Sequence, residues 1–421
     1  MEPLLIFNIF PRLYNSPDEW NEKLGDISQM GFNAVFVNNI YKTDSSRCLY
    51  AISDYYKLNK DLFSKNKDEF EQLDFFIDNS HNKNIKVILD ITISSISLES
   101  SIAIDNPEWL IKSDNNSFAH PSSWISGHYQ EKTNLGILDY ENEKNIGLWE
   151  YIREIILFYL NKGIDGVRFE SAYRMPNKFW NFLINEIKIK HPDSILIGET
   201  LGCTPIHIKS LVQTGFDYIY NSSKWWDYSE PWCIEQYELT REFVPSISFP
   251  DNHDTTRYPI KDIITESEHI RKLYFAGVFS GSMLITSGFE FGYSKDLNTI
   301  LTTPEDHENT GYDFRNHIKK IISIKKKLKT LSTESKISLP PHSNPTDVLF
   351  MVKSCEEGIT IILLNKSATN EKETRIYDIK AIIGDAQLKE VSPEIKDRGI
   401  ETDLFKLDPA EVRIFTTEVY I

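Results

Sequence analysis

One rhythm constrains this chain more than any other feature. Short apolar runs of strand length alternate with amphipathic stretches of helix length from residue 4 to about residue 330. Such alternation favours a parallel sheet, because each strand must be carried back to the same end by a crossover helix. Residues 4–7, 34–37 and 86–90 are the first three runs. Residues 166–169, 195–197, 216–220, 247–249 and 283–285 bring the count to eight. Residues 17–29 read as a helix: Ser16 stands at the N-cap, Pro17 at the first helical position and Gly31 just past the end. Further helices are predicted over about 67–82, 145–160 and 313–330. Eight strands, mostly followed by helices, predict a (β/α)8 TIM barrel.

The rhythm breaks twice. Residues 95–142 carry Pro, Asn, Ser and scattered aromatics with weak periodicity, an insertion long enough to have a function of its own. From residue 336 to 421 the runs alternate or are β-branched, as at 348–352, 359–364 and 412–415, and no helix is predicted. The expected division is a barrel over 1–335, including the insertion, and a C-terminal antiparallel β-sandwich domain over 336–421. A chain of 421 residues accommodates both.

Composition excludes some partners. The net charge of -16 opposes binding to nucleic acid or an anionic membrane but does not penalise a neutral substrate. The N-terminus has no basic segment followed by a cleavage site, so a cytoplasmic location is expected. Cys48, Cys203, Cys233 and Cys355 form no CxxC pair and no zinc spacing, and they read as buried free thiols. No cofactor and no metal site is expected. Aromatics at 12% suit sugar stacking, with core packing the competing role. The Trp225-Trp226 pair and Trp232 share that ambiguity. The run Lys325-Lys326-Lys327 reads as a solvated helix face. The sequence carries no information on oligomeric state.

Function in a barrel sits at the C-terminal ends of the strands. Those ends read Asp90, then Arg168-Phe169-Glu170, then Gly198-Glu199, then Asp251-Asn252-His253-Asp254. Any one of these acids could cap a turn or helix. Four strand ends bringing acids to one rim, with Arg168 and His253 among them, fit another role. Retaining cleavage of a glycosidic bond needs two carboxyl groups, one to attack the anomeric carbon and one to protonate the leaving oxygen.

The segments GIDGVRFE (163–170), IGET (197–200), FPDNHDTT (249–256) and YAISDYY (50–56) resemble the signature regions of the alpha-amylase family, glycoside hydrolase family 13. Within it, segments such as NPEWLIKSDNNSFAH (106–120) and HYQEKTNLGILDYEN (128–142) resemble the maltose 1-phosphate-dependent α-1,4-glucan maltosyltransferases. Relative to that branch, the chain is expected to lack the N-terminal modules. The resemblance implies a retaining α-glycosidase or transglycosylase acting on an α-glucan or maltooligosaccharide. It implies Glu170 as nucleophile, Glu199 as general acid/base and Asp254 as the carboxylate that stabilises the transition state. Arg168 would keep Glu170 ionised. Tyr50, Asp90 and His253 would bind sugar, and Asp54 would brace the site.

Three departures from the family pattern bear on function. The family nucleophile is aspartate, and Glu170 is longer by one methylene, about 1.5 Å. The family's Asn-His pair after strand three is replaced by Ser94-Ser95, so no structural calcium is expected. The maltosyltransferase branch carries Asn, Pro, His and Lys after the nucleophile and a lysine before the Tyr-Gln pair. Here those stretches read Ser171 to Pro176 and Ser126-Gly127-His128, leaving Arg174 or Lys132 as the candidate phosphate partner. The alternative function is a catalytically impaired, amylase-like protein that binds glucan or another protein.

Overall fold

A computed structural model describes residues 2–125, 128–396, 398 and 403–419. Eight parallel strands close into a barrel: β1 (Leu5–Ile9), β2 (Ala34–Val37), β3 (Lys86–Ile91), β4 (Gly166–Phe169), β5 (Ile195–Gly198), β6 (Tyr218–Tyr220), β7 (Ser246–Ser248) and β8 (Ser282–Thr286). Each is followed by a helix: α1 (Pro17–Met30), α2 (Glu69–His81), α3 (Ile146–Asn161), α4 (Asn177–Lys190), α5 (Pro205–Leu211), α6 (Trp232–Thr240), α7 (Ile263–Phe279) and α8 (Arg315–Lys327). The predicted barrel is the observed one. Gly31 closes α1 in the left-handed conformation at φ 100°, as a glycine past a helix end does.

Strand parity sorts the core. Odd residues such as Phe7, Val35, Leu89, Val167 and Phe169 join the layer between barrel and helices. Even residues Ile6, Phe36, Ile88 and Leu284 fill the interior with Ile197, Tyr218, Tyr220, Ile247 and Phe249. Parity therefore sends Asp90, Arg168 and Glu170 inward at the upper end of the barrel. Burial of a large apolar side chain contributes about 1.5–3 kcal/mol, and Trp20 and Trp180 are wholly buried in the outer layer. Gly166 in β4 is dictated by space. A Cβ there would lie 2.3 Å from the carbonyl oxygen of Ile195 on the adjacent strand.

The 95–142 insertion is not structureless. Ser95–Ser97 pairs with Leu135–Ile137, and Ser122–Ile125 pairs with His128–Glu131. Ser126 and Gly127, where the sequence departs from the maltosyltransferase pattern, lie outside the described residues. After α8, strands β9 (Lys336–Ser338), β10 (Val348–Cys355), β11 (Gly358–Asn365), β12 (Lys372–Arg375), β13 (Lys389–Glu390), β14 (Leu404–Leu407) and β15 (Val412–Thr416) form two antiparallel sheets, ordered β9-β10-β11-β15-β13 and β12-β14. Val348, Phe350, Ile361 and Leu363 face Phe405 and Leu407 across them. A short helix, Ile379–Ile383, interrupts this region, where none was expected.

Lys325 corrects the reading of its run as a solvated face. Its side chain is wholly buried, and its ammonium donates to the carbonyls of Gly277, Ser280 and Leu331. Lys353 of β10 reaches the same place and donates to Val278 (3.3 Å) and Phe279 (2.6 Å). Together they satisfy four consecutive carbonyls at the C-terminal end of α7, which have no partner within the helix. Burial pushes both ammonium groups down, Lys325 well below its usual range and Lys353 to about 8. The cysteines also depart from expectation. All four are free, but only Cys233 is buried, and the others are half-buried.

Candidate active site

The upper rim gathers most of the sequence-predicted residues. Asp90 and Arg168 are register partners on β3 and β4, so their side chains point into the barrel side by side. The Arg168 Nη1 donates to Asp90 Oδ1 at 2.8 Å, with both side chains buried. Among the described residues, the carboxylate bonded to Arg168 is Asp90, and no bond joins it to Glu170, which it was expected to keep ionised. Burial opposes the Arg168 charge, but Asp90, then Tyr220, Tyr50 and Glu199, hold its pKa well above the usual range.

Tyr50 donates to the other Asp90 oxygen at 2.8 Å and accepts from Asn38 at 3.1 Å. Its oxygen also lies 2.7 Å from His253 Nε2. The hydroxyl has one proton, given to Asp90, so Nε2 must carry the proton of the Tyr50–His253 bond. The same Nε2 lies 3.1 Å from Asp254 Oδ2. The His253 ring is stacked on Tyr50 and on Phe10. Asp254 is 56% exposed at the mouth of the cleft. Partial loss of water inside the cleft raises its carboxyl pKa, but His253, Arg168 and Lys132 together lower it to about 2.

Glu170 and Glu199 meet through one residue, Ser171. The Ser171 Oγ donates to Glu170 Oε1 at 2.5 Å, while its N–H donates to Glu199 Oε2 at 2.9 Å. Ser171 holds a left-handed backbone at φ 48°, an uncommon state for a non-glycine residue. Ser94 donates to the second Glu170 oxygen at 3.3 Å, so the serine that replaces the family asparagine touches the expected nucleophile. Glu199 is 5% exposed and also accepts from Leu201 N. Its carboxyl is pushed up to about 7, first by burial and then by the charge of Glu170, against Arg168 and the two N–H donors.

Asp54 is not brought to this group. It lies on the outer strand Ile52–Leu58, accepts from Tyr56 N at 3.0 Å and pairs with Lys57 at 3.0 Å. A cavity of about 140 Å³ is lined by Tyr50, Ser94, Glu170 and Asp254, together with Lys132 and Arg174. Sequence reasoning did not single out Ser171, and nothing in its type or spacing marks it. It also did not find a second cavity beyond Asp254, described below. Among the described residues, no group of His, Cys, Asp and Glu side chains is arranged to hold a metal ion. Trp225 is exposed, Trp226 is buried and Trp232 lies at the surface.

The chain is similar to several known proteins. Residues 1–134 match a family described as "Glycogen debranching enzyme, glucanotransferase domain". An alpha-1,4-glucan:maltose-1-phosphate maltosyltransferase of Picrophilus torridus is 23% identical over 85% of this chain and 60% of its own length. A cyclomaltodextrin glucanotransferase of a Bacillus species is 25% identical over 56% of this chain and 38% of its own length. The chain thus spans about three fifths or less of the length of these relatives. A noncanonic maltogenic alpha-amylase of Thermotoga neapolitana shares the fold, with a TM-score of 0.77 at 18% identity over 99% of both chains. Taken together, the matches make the chain similar in sequence and fold to proteins of the alpha-amylase family, glycoside hydrolase family 13.

Proposed function

We propose that the chain is a retaining α-glycosidase or transglycosylase acting on α-1,4-linked glucosyl or maltosyl substrates. The observation that carries this reading is the joining of two carboxyls by one serine, Glu170 through its hydroxyl and Glu199 through its N–H. Glu199, at about 7, keeps a proton near neutral pH, while Glu170 accepts from two hydroxyls. That division suits an acid and a nucleophile. In the first step a Glu170 oxygen attacks the anomeric carbon while Glu199 gives its proton to the departing oxygen. In the second, ionised Glu199 takes a proton from water or a sugar hydroxyl, which displaces Glu170. Asp254, ionised at all working pH values, holds sugar hydroxyls and the positive charge that develops on the ring. Asp90, Tyr50 and His253 form the hydrogen-bonded floor beneath.

Lys132 and Arg174 on the small cavity support a phosphorylated donor, since a departing phosphate needs cations. Hydrolase and transferase differ only in which acceptor reaches the intermediate. The reacting part is proposed to span residues 1–335, supported by 336–421. The Arg168–Asp90 pairing favours a second reading, a glucan-binding relative in which Glu170 has no cation bonded to it.

A fluorinated α-maltosyl donor separates the two readings. Mass spectrometry is expected to find a glycosyl adduct on the peptide containing Glu170. Maltose 1-phosphate should release phosphate with the wild type and much less with Glu199→Gln. Absence of an adduct, together with equal product from both proteins, would overturn the enzymatic reading.

A further inference from the structure

On the far side of Asp254 lies a larger cavity, of about 420 Å³, between the segments that follow β6, β7 and β8 and helix α7. Its wall carries three cations, Lys224, Arg257 and Lys272, and three acids, Asp251, Asp254 and Glu268. The formal charges balance, three against three, but the pairing is uneven. Asp251 is held by Arg257 at 3.1 Å, Glu268 by Arg271 at 3.4 Å and Asp254 by His253 at 3.1 Å. Neither lysine has an ion pair or hydrogen bond among the described residues. The Lys224 ammonium sits 5.8 Å above the Trp225 ring, and that of Lys272 sits 5.2 Å above the Tyr258 ring. Burial, then the neighbouring cations Lys272 and Arg257, push Lys224 down to about 8 despite Asp251. Arg257 has a side chain only 2% exposed, and its Nη1 has no hydrogen-bond partner, although its Nη2 donates to Ser287 O at 2.7 Å. Gly288 keeps space beside Nη1, since a Cβ there would come within 2.9 Å of it.

Two lysines without an ion pair, held at one partly buried cavity beside the Asp251-bound Arg257, gain most from an anion that accepts from both of them. Trp225 and Tyr258 are exposed beside them, and flat aromatic faces suit the apolar face of a sugar ring. We propose that this cavity is a binding site for a sugar phosphomonoester, with the phosphate on Lys224 and Lys272, the charge of buried Arg257 behind them, and the ring against Tyr258 or Trp225. It is separate from the Lys132–Arg174 pair on the Glu170 side. Asp254 stands on the wall of both cavities.

Calorimetric titration tests this with glucose 6-phosphate, inorganic phosphate and glucose as probes. Glucose 6-phosphate is expected to bind more tightly than either of the others, and more weakly as salt rises. The double variant Lys224→Gln/Lys272→Gln is expected to weaken it tenfold or more. That variant relieves mutual repulsion, so its thermal unfolding temperature should not fall. Lys132→Gln/Arg174→Gln is expected to leave glucose 6-phosphate affinity unchanged while reducing turnover of maltose 1-phosphate, so failure at one site is told from failure at the other. No saturable binding, equal affinity for inorganic phosphate, or an unchanged affinity in the Lys224/Lys272 variant would overturn the proposal.

Discussion

Glu199 offers a test that does not depend on knowing the substrate. Its carboxyl moves from an ordinary 4.5 to about 7 on folding. Each pH unit of such displacement is worth 1.36 kcal/mol, so the whole amounts to about 3 kcal/mol. The folded state keeps the proton that the unfolded chain gives up. Below pH 4.5 both states are protonated and the contribution to stability is complete. It is lost as pH rises from 4.5 through 7, and above 7 the fold carries a buried carboxylate. Glu199→Gln removes the titration and keeps the shape. The stability of the variant minus that of the wild type should therefore rise by about 3 kcal/mol between about pH 4.5 and about pH 8. Urea unfolding at both pH values measures it, and the double difference cancels any constant cost of placing an amide against Ser171 N and Leu201 N. A difference that stays level within about 0.5 kcal/mol would refute the claim that burial and Glu170 hold the proton on Glu199.

Other expectations follow from the same contacts. Glu170→Asp shortens the side chain that receives Ser94 and Ser171, so kcat/KM should fall on the order of 10²-fold; a rise would mean that the extra methylene is a defect. Glu170→Gln removes a charge that raises Glu199, so carbon-13 NMR of the Glu199 carboxyl should show titration at lower pH, and an unmoved titration would contradict their coupling. Lys353→Met leaves the carbonyls of Val278 and Phe279 without their lysine, for a loss of roughly 1–3 kcal/mol per orphaned group, read as a lowered midpoint in thermal unfolding.

The barrel was legible because period-two burial and helix signals such as Ser16, Pro17 and Gly31 are local. Asp90, Arg168, Glu170 and Glu199 were legible as a group because strand ends in a barrel share one rim. Their partners were not. Register, which no single strand reveals, sets Arg168 against Asp90. Ser171 became the link between two carboxyls only through a left-handed backbone. Asp54 has the right motif position but sits on a strand outside the barrel. The cations of the second cavity come from the turn after β6, the loop after β7 and helix α7, and their convergence has no sequence period. Lys325 was misread because a lysine run resembles a wet surface until the helix end it meets is known.

That helix end bears on how the chain can be divided. Half of the lysine clamp on α7 comes from β10, beyond any cut placed near residue 335. A barrel expressed alone would lose the donor for two carbonyls under the element that follows β7, the strand leading to His253 and Asp254. Exchanging the C-terminal sheet for one from another protein would succeed only if the graft supplied a lysine at the same spot. The sheet works as a removable-looking part that completes a helix of its neighbour, so recombination at this seam should yield hybrids that melt early and lose the site with them.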